Sequence, residues 1–253
     1  MSRDYSTRNA QKISTDLFFS THEATLRTAR PDTPVFARQS AKKRIDNWKI
    51  FSRPVAKVRQ YNPKGDISAL PDTLLQLANR ADWNQEVVNT LPEDVSLLWV
   101  PTDDWLDGTK DALHGVGIIK FDVPASVDGS QSAQCYTILY SPHGVPASAV
   151  SKVFAALNAL PRHSCLALIH HFDDIYIPIL GGSVFRGLQG GADLAMAIKP
   201  KYWIRTHDEL KTAEGLISKL QRRVRNTIKE AQDLVSADIK VVELANGESF
   251  DLL

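Results

Sequence analysis

The chain alternates short apolar runs with amphipathic ones. VSLLWVP (95–101), GVGIIKFDV (115–123), QCYTILYSP (134–142) and CLALIHHF (165–172) are brief, β-branched or aromatic, and bounded by turn residues, which predicts four strands. Between the third and fourth, ASAVSKVFAALNAL predicts a helix. Upstream, ISTDLFF and THEATLRTA predict a strand, a turn and a helix N-capped by Thr21, with Ala24 and Leu26 to Ala29 turned inward. PVFA (34–37) follows as a brief strand, then SAKKRIDNWKIF as a charged amphipathic helix with Ile45 and Trp48 three apart, then VAKVRQY as an alternating strand. Downstream come an apolar strand in DDIYIPILGG, a glycine-rich loop, a helix GADLAMAIK, a strand KYWIRTH and a long basic helix from about Leu210 to Val235. Asn246-Gly247 predicts a closing hairpin. Strands alternating with helices predict an α/β fold.

Residues 1–11 read as a disordered lead, 12–253 as one domain, and 62–94, rich in Asp and Asn, as an insertion. The 253 residues are 43% hydrophobic, enough for one sizeable core. Thirty Lys and Arg against twenty-nine Asp and Glu give a formal charge of +1, which supplies no field to gather nucleic acid. Cys135 and Cys165 lack disulfide-framework or zinc-knuckle spacing and read as buried free thiols. With no signal-peptide core and no apolar run of membrane-spanning length, the expectation is a cytoplasmic chain without an integral membrane segment, acting on a small molecule and able to form a homo-oligomer.

The most informative stretch is IYIPILGGSVFRGLQGGADLAMAIKPKYWIRTHDE, residues 175–209. Its order of strand, Pro-Ile-x-Gly-Gly, glycine-containing loop, Ala-rich helix, Lys-Pro-Lys, strand and Thr-His resembles the C-terminal core of the metallo-β-lactamase superfamily. The resemblance is to the branch of L-ascorbate 6-phosphate lactonases and N-acyl-phosphatidylethanolamine phospholipase D-type enzymes. YSPHG (140–144), LIHHFD (168–173) and THDE (206–209) are similar to segments of fungal members. The resemblance covers roughly residues 13–235. It implies an α/β fold of the metallo-β-lactamase-like αββα sandwich type, shortened at its N-terminus.

It also implies metal-dependent hydrolysis of an ester, lactone or phosphodiester. The family's His-x-His-x-Asp-His turn holds two zinc ions. Counting back from HEATL puts its four ligand positions on Thr15, Leu17, Phe19 and Ser20, none an ordinary zinc ligand. Three other histidines match ligand-like places in the resemblance: His114 before the middle strands, His143 where an aspartate commonly bridges the metals, and His207 at the last ligand position. Three imidazoles could hold one zinc with an open coordination site. Asp208 or Asp173 would then be the proton acceptor for an activated water.

Each of these has a plainer reading as a turn, strand-end or hydrogen-bonded histidine. His170 and His171, adjacent on a strand, should project to opposite faces, so that at most one faces a pocket. His22, His171, Arg186 and Trp105 are candidates for substrate contact. Trp83, Trp99, Trp105 and Trp203 either wall a pocket or pack the core, and His163 falls in an exposed loop after Pro161. The loop GGSVFRGLQGG lacks the residues of a phosphate-binding loop and reads as facing substrate. Lys219, Arg222, Arg223, Arg225 and Lys229 would ring the basic helix as a solvated face or contact an acidic lipid headgroup or a phosphate substrate. The eroded turn keeps a second reading open: a metal-free member that works as a binding protein or as a non-hydrolytic enzyme, for example in secondary metabolism.

Overall fold

The computed structural model describes residues 23–33, 35–37, 39–60, 95–101, 115–126, 132–178, 182–206, 220–245 and 248–253. The expected lead, the Thr21 cap and the 62–94 insertion lie outside them. The described elements, in order, are α1 (Glu23–Arg27), β1 (Phe36–Ala37), α2 (Gln39–Trp48), β2 (Ala56–Lys57), β3 (Arg59–Gln60), β4 (Val95–Pro101), β5 (Gly115–Val123), β6 (Gln134–Ser141) and α3 (Ala147–Asn158). They continue as β7 (His163–His170), β8 (Asp174–Ile177), β9 (Gly182–Phe185), α4 (Leu188–Ile198), β10 (Tyr202–Arg205), β11 (Arg222–Val224), α5 (Ile228–Leu234) and β12 (Lys240–Val242).

Among the described residues the largest sheet has seven strands in the order β12-β10-β7-β6-β5-β4-β3. Neighbours are parallel from β12 to β6 and again at β4 and β3, while β5 runs antiparallel between β4 and β6. The α/β class is therefore observed, with a mixed sheet. Side chains alternate along β6: Cys135, Thr137, Leu139 and Ser141 are buried, while Gln134, Tyr136, Ile138 and Tyr140 are half-buried.

The first set faces the helices. Val150, Val153, Phe154 and Leu157 of α3, spaced to share one face, pack there with Leu194 and Ala195 of α4, Ala231 of α5, and Leu139, Leu168 and Trp203 of the sheet. The three helices lie on one face because each connects parallel strands and the connections progress in one direction along the sheet. On the opposite face, Phe36, Ala56 and Val58 cover Leu97 and Ile119, and Leu244, Phe250 and Leu252 cover Ala167, Ile169 and Ile204.

Four expectations are corrected. The glycine-rich loop contains a strand, β9, which pairs antiparallel with β8, and β11 adds to the other side of β8. The long basic helix is interrupted: Arg222–Val224 is β11, and among the described residues after it only Ile228–Leu234 is helical. Thr227 starts that helix: its side chain accepts from Glu230 N while the Glu230 carboxylate accepts from Thr227 N, a reciprocal cap. The terminal hairpin does not form among the described residues. β12 pairs in parallel with β10, and 248–253 is not a strand; a turn bond from Glu248 N to Ala245 O, 3.0 Å, brings Phe250 edge-on to Tyr202. VAKVRQY splits into the two-residue β2 and β3, which pair with different partners, β1 and β4.

Candidate functional site

Parallel strands deliver their C-terminal ends to one edge of a sheet, and a strand running antiparallel to them begins there. In this chain that edge collects the ends of β6, β7 and β10 and the start of β5. Each of those four points adjoins a histidine in sequence: His114 before Gly115, His143 after Ser141, His170 and His171 at the end of β7, and His207 after Arg205 and Thr206. Thr206 N donates to His170 O at 3.2 Å, which fixes the exit of β10 beside the end of β7. His114 and His207 lie outside the described residues, as do His22, Trp105, Asp208, Thr15, Leu17, Phe19 and Ser20.

His143 is buried and stacks face to face on Phe185, with ring centroids 4.2 Å apart and 7° between planes. Its carbonyl accepts from Arg186 N at 3.2 Å. The next residue must be glycine: φ is +76°, and a Cβ would stand 2.6 Å from Arg186 O and 3.1 Å from His170 Nε2. The chain thus turns tightly over the His170 ring. Arg186 is exposed at this turn and forms no ion pair with a described residue.

His170 and His171 do not diverge as expected. β7 ends at His170, so His171 escapes the strand's alternation, and the two buried rings stack with centroids 4.6 Å apart and 12° between planes. His171 also meets Phe185 edge-on at 5.3 Å. His170 Nδ1 lies in a short hydrogen bond with the carbonyl of His171. A carbonyl only accepts, so Nδ1 carries the proton and Nε2 keeps its lone pair. That Nε2 is buried with no hydrogen-bond partner among the described residues. Burial pushes the His170 pKa down to about 4, partly opposed by the backbone hydrogen bond, so the ring is neutral at pH 7. On its other side Gly191 gives it room, since a Cβ there would lie 2.8 Å from His170 Nδ1 and 2.3 Å from Trp203 Cζ2.

Asp173 is 1% exposed and anchors several segments at once. Oδ1 accepts from Arg205 Nη2 at 3.2 Å and from Asn226 N at 3.4 Å, and Oδ2 accepts from Arg223 Nε at 2.6 Å. Arg205 also pairs with Glu243 at 2.8 Å. Asn226 Nδ2 donates to Phe172 O and to Asp174 Oδ2, and Asp174 Oδ1 accepts from Gly187 N at 2.9 Å. With both oxygens engaged by guanidinium groups, Asp173 ties β7, β10 and β11 together beside the histidines. Arg205, Arg223 and Asn226 are site-supporting residues that sequence reasoning missed. Arg223 had been placed on a helix face, and its inward role follows from β11 pairing with β8.

The tryptophans divide in a similar way. Trp203 is fully buried in the helix-side core, and Trp99 lies over Gly115, where a Cβ would be 2.1 Å from its Cζ2. Trp83 lies outside the described residues. At the opposite end of the sheet, His163 is not in an exposed loop. It opens β7, half-buried, and bridges Thr137 Oγ1 at 3.0 Å and Asn158 Oδ1 at 3.1 Å. Desolvation, then the Lys120 charge, lower its pKa. Cys135 and Cys165 are free and buried, their thiols raised by burial to about 11 and about 12.

Among the described residues no three His, Cys, Asp or Glu side chains come close enough to share a metal ion. Of His114, His143 and His207, only His143 is described. No described helix is long and apolar enough to cross a membrane. No family model, no curated protein and no solved structure matches the chain.

Proposed function

We propose that the chain is a hydrolase of the metallo-β-lactamase type, acting on an ester, a lactone or a phosphodiester at the histidine-rich edge of its sheet. The observation that carries this reading is the confluence at one edge of the four strand termini that adjoin His114, His143, His170 with His171, and His207. A mixed sheet with its crossover helices on one face is compatible with one half of an αββα sandwich.

His114, His143 and His207 would hold a zinc ion, which when bound supplies Lewis acidity and lowers the pKa of a water. The buried orphan nitrogen of His170, described above, is an observation in favour of a cation at this edge. In this reading Asp208 accepts the proton from the attacking water, and Arg186, exposed at the Gly144 turn, receives the substrate's anionic or carbonyl oxygens. His22, His171 and Trp105 would contact the substrate in this reading. Asp173, with both carboxylate oxygens engaged, holds Arg205 and Arg223 in place.

The test is metal content of the purified protein by inductively coupled plasma mass spectrometry, beside a screen of lactones, esters and phosphodiesters with and without chelator. About one zinc per chain with chelator-sensitive turnover supports the reading. The substitutions at Thr15, Leu17, Phe19 and Ser20 favour a second reading, a metal-free member that binds its ligand without hydrolysis. Metal far below stoichiometry after zinc supplementation, with no turnover, selects that one.

A further inference from the structure

We infer that His170 is itself a metal ligand, through Nε2, at the edge where His143 stands. This rests on the metal-dependent reading above and deepens it, because none of the ligand-like positions of the superfamily resemblance falls on His170.

Three observations support it. A ligating imidazole typically donates its second ring N–H to a carbonyl or carboxylate, which fixes the tautomer and turns the free nitrogen toward the metal. His170 has this arrangement, with Nδ1–H given to His171 O and an unprotonated Nε2 that no described residue engages. A buried polar atom without a partner is rare in folded proteins and calls for an occupant.

The second observation is the direction of Nε2. It lies toward Gly144, within 3.1 Å of where a Cβ would stand, so it faces the turn that carries His143. Third, the ring's orientation is determined from several sides: His171 stacks on it, Trp203 meets it edge-on at 6.2 Å, and Gly191 fits against its Nδ1. Ligands held by packing in this way are preorganised for a metal.

The test uses the full chain, ¹⁵N-labelled at histidine and loaded with ¹¹³Cd²⁺ as the probe metal. The expected result is a ¹¹³Cd–¹⁵N coupling at His170 Nε2 with Nδ1 still protonated. A cadmium-loaded protein with no coupling at His170 overturns the inference, and so does a chain that takes up neither Cd²⁺ nor Zn²⁺. In parallel, Zn²⁺ affinity is measured for His170→Gln and for His171→Gln, each checked for an intact circular dichroism spectrum. His170→Gln should weaken binding by at least about tenfold, and His171→Gln by much less. Equal affinities in the wild type and a folded His170→Gln would refute it. If metal binds through His170 while no lactone, ester or phosphodiester turns over, the hydrolase reading fails and this one stands. If turnover and metal uptake survive His170→Gln unchanged, the reverse holds.

Discussion

Replacing Asp173 by Asn keeps the shape of the side chain and removes its charge, which isolates the ion-pair hub as the perturbed quantity. The carboxylate is 1% exposed, and the Arg205 and Arg223 side chains are 18% and 23% exposed. Removing one partner of a buried pair costs about 3 to 5 kcal/mol, because it strands the opposite charge. Both arginines retain some contact with water, and Arg205 keeps Glu243, so the lower end applies, about 3 kcal/mol. For a chain of this size that corresponds to a fall in Tm of roughly 6 to 12 °C. Urea unfolding followed by circular dichroism gives the stability change directly. A double-mutant cycle with Arg223→Met, whose guanidinium lies 2.6 Å from Oδ2, should show a coupling of at least about 1 kcal/mol. A loss below about 1 kcal/mol, or strict additivity in the cycle, would refute the account of Asp173 as an anchor. If Asp173 were instead a free proton acceptor, the same substitution would abolish turnover at nearly unchanged stability.

Gly191→Ala should destabilise the protein although alanine favours a helix interior by about 1 kcal/mol. The new methyl would stand 2.3 Å from Trp203 Cζ2 and 2.8 Å from His170 Nδ1, and overpacking of about 1 to 3 kcal/mol outweighs the propensity; a higher urea midpoint would contradict this. Stability should also fall with acid through His163. Its folded pKa is depressed, so the unfolded chain takes up the proton first; its contribution is complete above about pH 6.5 and is lost as pH drops below that value, and His163→Gln should flatten the slope of unfolding free energy against pH. Thr227→Ala removes the hydroxyl that accepts from Glu230 N, leaves the backbone N–H of residue 227 still donating to the Glu230 carboxylate, and should cost about 1 kcal/mol, read from thermal unfolding. Cys135 and Cys165, with pKa values near 11 and 12, should react with Ellman's reagent at pH 8 only as fast as the chain opens; rapid labelling of native protein would show that one of them is reachable.

The strands and helices that were legible in the sequence are those whose own residues supply the driving force. Val95–Pro101, Gly115–Val123 and Gln134–Ser141 fall where β-branched and aromatic residues run between turn signals, and α3 falls where Val150, Val153 and Leu157 recur at helical spacing. Errors came where a distant partner decides the local state. The basic run at 222–225 suits a helix by propensity. β8 offers it a ladder and Asp173 offers Arg223 a buried charge, and together these outweigh a few tenths of a kcal/mol per residue. One local signal was there to be read: Thr227 and Glu230 mark a helix start at Ile228, which by itself rules out one continuous helix through that point. Asn246-Gly247 predicted a hairpin. Because β12 sits at the sheet's edge with β10 on one side, the chain after it has an apolar surface to cover, and Phe250 and Leu252 are used for that instead of for a returning strand.

The site was legible as a set of residue types, and much less so as an arrangement. His143, His171, Asp173 and Arg186 do gather around the ends of β6 and β7, yet what each one does depends on facts that spacing does not carry. Period-two alternation separates His170 from His171 only while both remain in the strand. The strand stops at His170, the following backbone turns, and the two rings stack. The same turn brings the His171 carbonyl to His170 Nδ1, so His170 holds a buried lone pair that no described residue engages. Asp173, three residues further on from His170, looked like a proton acceptor and is enclosed by arginines from β10 and the far end of the chain. In both cases the deciding partner is a backbone or side-chain group fixed by topology. A histidine's value as a ligand therefore depends on which of its nitrogens the fold leaves unengaged, and here the fold leaves Nε2 of His170.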